Sequence, residues 1–142
     1  MGSVRVVVVD DFEPWRRSIV SLIEEDPAFQ VICEAADGAE GVRMCLELQP
    51  DLVILDVGLP KVNGLEAARQ IREVSPDTKI LFVSANHSPD VMREALRIGA
   101  AGFILKTKVL RELMRAVRAV VGDEEFLRFT ILPDTETDLP EE

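Results

Sequence analysis

Five side chains able to do chemistry stand at the ends of short apolar runs. Asp10 and Asp11 follow VRVVVV, Asp56 follows LVIL, Ser84 follows KILFV, and Lys106 follows GFIL. The adjacent pair at 10 and 11 poses the first question. Like charges repel, and burying either is costly without compensation. One answer is a helix cap, because Pro14 stands where a first helical turn would begin. The other is a cation site. Three carboxylates around one point need a cation, and Mg²⁺ suits all-oxygen ligands while keeping waters and a phosphate oxygen. A carboxylate can attack phosphorus. Mg²⁺ and a lysine can neutralise the phosphoryl oxygens, and a serine hydroxyl can donate a hydrogen bond to them.

Taken singly, each residue has a plainer reading: Asp56 a loop acid, Ser84 a turn cap, Lys106 a solvated strand-end lysine. What sets them apart is their placement. Strand patterns occupy 4–9, 30–35, 52–55, 79–83 and 102–105, all short, branched and nearly continuously apolar, as strands covered on both faces are. Helical spacing fills 14–25 (Trp15, Ile19, Leu22, Ile23), 39–48, 64–74, 89–98 and 108–121. The fourth helix is announced by Ser88 as N-cap, Pro89 at the first position and Asp90 in the first turn. Five βα repeats imply an α/β, doubly wound (βα)5 three-layer sandwich. Right-handed crossovers favour a parallel five-stranded sheet of order 2-1-3-4-5. Such sheets work at the carboxyl ends of strands 1 and 3, and four of the five strands end there in the residues above. The second ends in Ala35-Ala36-Asp37-Gly38, an ordinary turn.

The 142 residues suit one domain and a real core. A net charge of −10 argues against nonspecific nucleic-acid binding. No apolar run reaches membrane-spanning length, and the N-terminus lacks the order of a signal peptide, so a cytoplasmic location is expected. Cys33 and Cys45, twelve positions apart, match no metal spacing and are expected to be reduced core residues.

With these residues in place, the chain resembles the receiver domain of two-component response regulators, the CheY-like fold. The matching pieces are VVVDD (7–11), LVILDVGLPKVNG (52–64), LFVSA (81–85) and GAAGFILK (99–106), over about residues 4–121. The resemblance implies that Asp56 is the phosphoacceptor and that Asp11 binds Mg²⁺ directly. It implies that Asp10 helps bind the metal, through water, and that the Gly58 carbonyl is a further ligand. Lys106 would pair with the phosphoryl group, Ser84 would move toward it, and Phe103 would shift rotamer as Ser84 moves. Pro60 and Gly64 would shape the loop after Asp56. A sensor histidine kinase or phosphotransfer protein would supply the phosphoryl group, and signalling rather than turnover would be the task. An aspartate-nucleophile phosphatase would carry a second aspartate where Gly58 stands. A flavodoxin-type module would need a phosphate loop where DDFEPW stands. A degenerate receiver, binding partners without phosphorylation, is the alternative.

Several positions depart from the family pattern. Gly58 offers no side chain where relatives carry one, and Asn86 occupies the other tuning position. Thr107 replaces a common proline after Lys106, and Phe103 a common tyrosine. His87 reads as a loop histidine. Arg93 and Arg97 on the fourth helix, and Arg111, Arg115 and Arg118 on the fifth, read as solvated faces or as a surface for an acidic partner or a second copy of the chain. Residues 1–121 are read as the receiver and 122–142 as an acidic tail or linker with apolar members at Phe126, Leu127, Phe129, Ile131 and Leu132. GAAGFILK and the Gly-Asp pair after the last helix are similar to receivers of LuxR-like regulators, so contact with DNA is expected only through a separate output domain in a longer chain.

Overall fold

The computed structural model describes residues 3–86 and 88–122. His87 and the apolar and acidic tail positions from 123 onward lie outside them. The elements alternate as β1 (Val4–Val9), α1 (Glu13–Glu24), β2 (Phe29–Ala35), α2 (Gly38–Leu48), β3 (Leu52–Asp56), α3 (Gly64–Val74), β4 (Lys79–Ser84), α4 (Pro89–Ile98), β5 (Gly102–Leu105) and α5 (Val109–Val121). The five strands are parallel, in the expected order β2-β1-β3-β4-β5.

The pleat sorts the core into two layers. Successive side chains point to opposite faces of a strand. Val7, Val9, Val53, Leu55, Ile80, Phe82 and Phe103 therefore meet Cys45, Ala67, Ala68, Ile71, Met92 and Ala95 from α2, α3 and α4. Val6, Val8, Leu52, Ile54, Leu81, Val83 and Ile104 meet Ile19, Ile23, Leu113, Ala116 and Val117 from α1 and α5. Both layers exclude water almost completely, which explains the unbroken valine run of β1.

The same alternation aims the chemistry. Asp10, Asp56 and Lys106 continue the register of Val8, Ile54 and Ile104, toward α1 and α5. Ser84 continues that of Ile80 and Phe82, toward the layer that holds Phe103. The pairings Val9 with Leu55 and Ser84 with Leu105 then bring the strand ends level with one another.

The helix termini follow local chemistry. Asp37, Asn63 and Ser88 each cap a helix by accepting a backbone N–H three residues on. α4 ends on Gly99 in the left-handed conformation. The cap reading of Asp10 and Asp11 fails: Phe12 is the N-cap of α1 and makes no side-chain cap. Both cysteines are free, and burial pushes the Cys45 thiol up to about 12. Among the described residues no helix is long and apolar enough to cross a membrane.

Candidate functional site

The carboxyl edge of the sheet gathers Asp10, Asp11 and Asp56 so that one carboxylate oxygen from each lies within 4.8 Å of the others. Asp10 and Asp56 are buried and Asp11 is exposed. Lys106 Nζ lies 3.4 Å from Asp10 Oδ2 and 3.4 Å from Asp56 Oδ2, bridging the two buried acids.

Each acid is half-satisfied by backbone. Asp10 Oδ1 accepts the Phe12 N–H at 2.9 Å, and Asp56 Oδ1 accepts the Gly58 N–H at 3.2 Å. The second oxygen of each faces the cluster. Asp10 Oδ2 is buried without a well-formed hydrogen bond. Burial, reinforced by repulsion from Asp56, holds the Asp10 carboxyl above its ordinary value, against the Phe12 N–H and the Lys106 charge. A buried, under-satisfied carboxylate beside a second one is a donor set suited to a hard divalent cation. These residues fit Mg²⁺.

Two loops hold this geometry. The β1–α1 loop is tied by Arg16, whose guanidinium donates to the Asp10 carbonyl at 2.9 Å and to Glu34 Oε1 on β2 at 2.9 Å. The loop after Asp56 folds tightly against the strand end. A Cβ on Gly64 would stand 2.1 Å from the Asp56 carbonyl oxygen, so only glycine fits there. Lys61 takes the left-handed conformation at φ 68 and reaches Asp37 Oδ2 at 3.4 Å. Gly38 lets this loop approach: a Cβ there would stand 1.9 Å from the Val62 carbonyl oxygen. The turn after β2 is therefore the abutment of the Asp56 loop. In sequence this segment has the composition of an ordinary turn, and the signal for its role is the glycine directly after a capping aspartate.

Ser84 is buried at the end of β4. Its hydroxyl donates to the Asn86 carbonyl at 2.8 Å and accepts the Asn86 N–H at 2.9 Å, a local turn rather than a contact with Asp56. Phe103 is fully buried, its ring centroid 6.2 Å from that of Phe82 and tilted by 56°. Lys106 opens a 3-10 turn over Lys106–Lys108, which links β5 to α5 and was absent from the sequence reading. Gly58 has open space beside it: an added Cβ meets nothing within 4 Å.

Among the described residues, four of the five arginines on the α4 and α5 faces pair within the chain. Arg93 pairs with Asp90 at 2.6 Å, Arg97 with Glu94 at 2.5 Å, Arg115 with Glu112 at 3.8 Å and Arg118 with Asp26 at 3.1 Å. Arg69 also pairs with Glu94, joining α3 to α4. Such exposed pairs contribute little to stability and fit the reading as solvated faces.

Comparison with known proteins agrees with this geometry. The family model for the response regulator receiver domain matches residues 6–118. The transcriptional regulatory protein LiaR of Bacillus subtilis is 35% identical over 121 residues, covering 85% of this chain and 57% of LiaR. The signal receiver domain of the response regulator NarL from Mycobacterium tuberculosis superposes with a TM-score of 0.81 at 33% identity, covering 86% of this chain and 98% of that one. A LuxR-family two-component response regulator from Aurantimonas superposes with a TM-score of 0.85 at 30% identity, covering 94% and 99%. This chain spans 50% of the length of DegU from Brevibacillus brevis and 57% of LiaR, so the match concerns one domain of those regulators. The acidic cluster, the sheet order and the family match agree, and the chain belongs to the response regulator receiver domain family.

Proposed function

We propose that this chain is a phosphoryl-accepting switch of a two-component phosphorelay, with Asp56 as the acceptor. One observation carries the reading: three carboxylates meet within 4.8 Å, and an ammonium bridges the two buried ones at 3.4 Å. An Asp56 carboxylate oxygen attacks the phosphorus of a phosphohistidine on a partner sensor histidine kinase or phosphotransfer protein. The O–P bond forms as the P–N bond breaks, and the imidazole leaves. The carboxylates of Asp10, Asp11 and Asp56 and the Gly58 carbonyl would hold Mg²⁺. When bound, the ion supplies neutralisation of charge on the transferring group.

The chain's own groups do the rest. The Gly58 N–H orients Asp56 by holding Oδ1 and leaving Oδ2 toward the cluster. Lys106 leaves its bridge between the acids to pair with the phosphoryl oxygens. Ser84 exchanges its turn with Asn86 for a hydrogen bond to the phosphoryl group, and Phe103 repacks on the same face of the sheet. Phosphorylation then biases two conformations and alters affinity at an output surface. The chain serves signalling, not turnover of a substrate, although it assists its own phosphorylation and hydrolysis. The output follows from whatever the receiver contacts, and DNA enters only through a separate output domain.

The test is titration with beryllofluoride, a phosphoryl mimic, with and without Mg²⁺, followed by amide NMR. Metal-dependent shifts at Asp56, Ser84 and Lys106 support the reading. Spectra that stay unchanged would favour a receiver that binds partners without phosphorylation.

A further inference from the structure

The ammonium of Lys106 has two neighbours of different kinds. Asp10 and Asp56 stand at 3.4 Å each. The ammonium also lies over the indole of Trp15, with Nζ 5.8 Å from the ring centroid. Trp15 sits in the first turn of α1 and packs, partly buried, on the core layer shared by α1 and α5. A buried indole N–H ordinarily finds an acceptor. The Trp15 Nε1 is buried and makes no hydrogen bond among the described residues. Its ring is therefore held by packing, and packing turns one face toward Lys106.

The two neighbours respond differently to a cation. The hold of Asp10 and Asp56 on the ammonium weakens when their charge is shared with a divalent ion. The attraction of an aromatic face for an ammonium does not depend on those carboxylates. A lysine stem is flexible, and Lys106 is still partly open to water. Without a second anchor, the ammonium would disperse into solvent at the stage when the phosphoryl group needs it.

Resting on the phosphoacceptor reading above, we propose that Trp15 is a positioning residue for Lys106. Its ring holds the ammonium at the mouth of the sheet once the acids are engaged, and so raises the rate of phosphoryl transfer to Asp56.

The experiment is a double-mutant cycle on the full chain. Phosphorylation by acetyl phosphate at saturating Mg²⁺ is followed in wild type, Trp15→Leu, Trp15→Phe, Lys106→Ala and Trp15→Leu/Lys106→Ala. Trp15→Leu is expected to lower the maximal rate by roughly threefold to tenfold, between the effects of an exposed and of a desolvated cation–π contact. Trp15→Phe keeps a ring face and is expected to retain most of the rate, which separates the effect from a folding defect. In the Lys106→Ala background, Trp15→Leu is expected to add nothing. Equal losses from Trp15→Leu in both backgrounds overturn the proposal, as does a Trp15→Leu chain with the wild-type rate. A Lys106→Ala chain with the wild-type rate overturns the role of Lys106 itself, and the inference with it.

Discussion

Lys61 Nζ lies 3.4 Å from Asp37 Oδ2, joining the loop after β3 to the cap of α2. The Asp37 carboxylate also accepts the Glu40 N–H at 2.8 Å. The Glu40 N–H first, and then Lys61, hold the Asp37 carboxyl below its ordinary value of 3.8. A depressed acid contributes stability above its unfolded value and loses it as pH falls through the folded one. Asp37→Ala is therefore expected to melt below wild type at pH 7. The gap should close as pH falls below 3.8, as thermal melts across pH would record.

Gly38 makes the same junction a matter of space. Alanine there would place a Cβ 1.9 Å from the Val62 carbonyl oxygen, and backbone on both sides must shift. Overpacking of this kind costs about 1–3 kcal/mol. Denaturant unfolding of Gly38→Ala is expected to show that loss, and the displaced loop should also weaken Mg²⁺ binding. A variant as stable as wild type would contradict the abutment.

Arg16 and Arg17 offer an internal control. Both reach Glu34, but the Arg16 side chain is 14% exposed and also holds the Asp10 carbonyl, whereas that of Arg17 is 62% exposed. Hydrogen bonds to charged groups in partly buried settings contribute about 1.5–3 kcal/mol, and exposed pairs about 0–1. Urea titration should find Arg16→Ala less stable by about that larger amount, with slower phosphorylation. Arg17→Ala should track wild type in both.

Gly58 tests whether the site is tunable without damage to the fold. A side chain there meets nothing within 4 Å, and among the described glycines only Gly99 has a positive φ. Gly58→Asn and Gly58→Lys are expected to keep stability within about 0.5 kcal/mol. Their side chains would stand beside Asp56, so the hydrolysis rate of the phosphorylated chain should change severalfold. Identical lifetimes in glycine, asparagine and lysine variants would show that water reaches the phosphoryl group from elsewhere.

Much of this was legible in the residues. The apolar runs and their turn signals were strong enough to place all ten main elements, with β1, α3, α4 and β5 at their observed bounds. The sheet order, and with it the meeting of Asp10, Asp56 and Lys106, followed from connection rules applied to those elements. Contacts between loops were harder. The approach of Val62 to Gly38 and the reach of Lys61 to Asp37 depend on a left-handed residue that lysine rarely signals. In the sequence Trp15 shows only as part of the one-face spacing of the first helix. That spacing cannot say which way the ring face turns. Ser84 shows a further limit: register fixed its position, but its bond to Asn86 depends on a local turn.

The most direct measurement is peptide mass mapping of wild type and Asp56→Asn after incubation with acetyl phosphate and Mg²⁺. The account predicts one phosphoryl group, on the peptide that contains Asp56, lost in Asp56→Asn and lost when the metal is chelated. An equal phosphoryl adduct in Asp56→Asn, or on another peptide of the wild type, would contradict it.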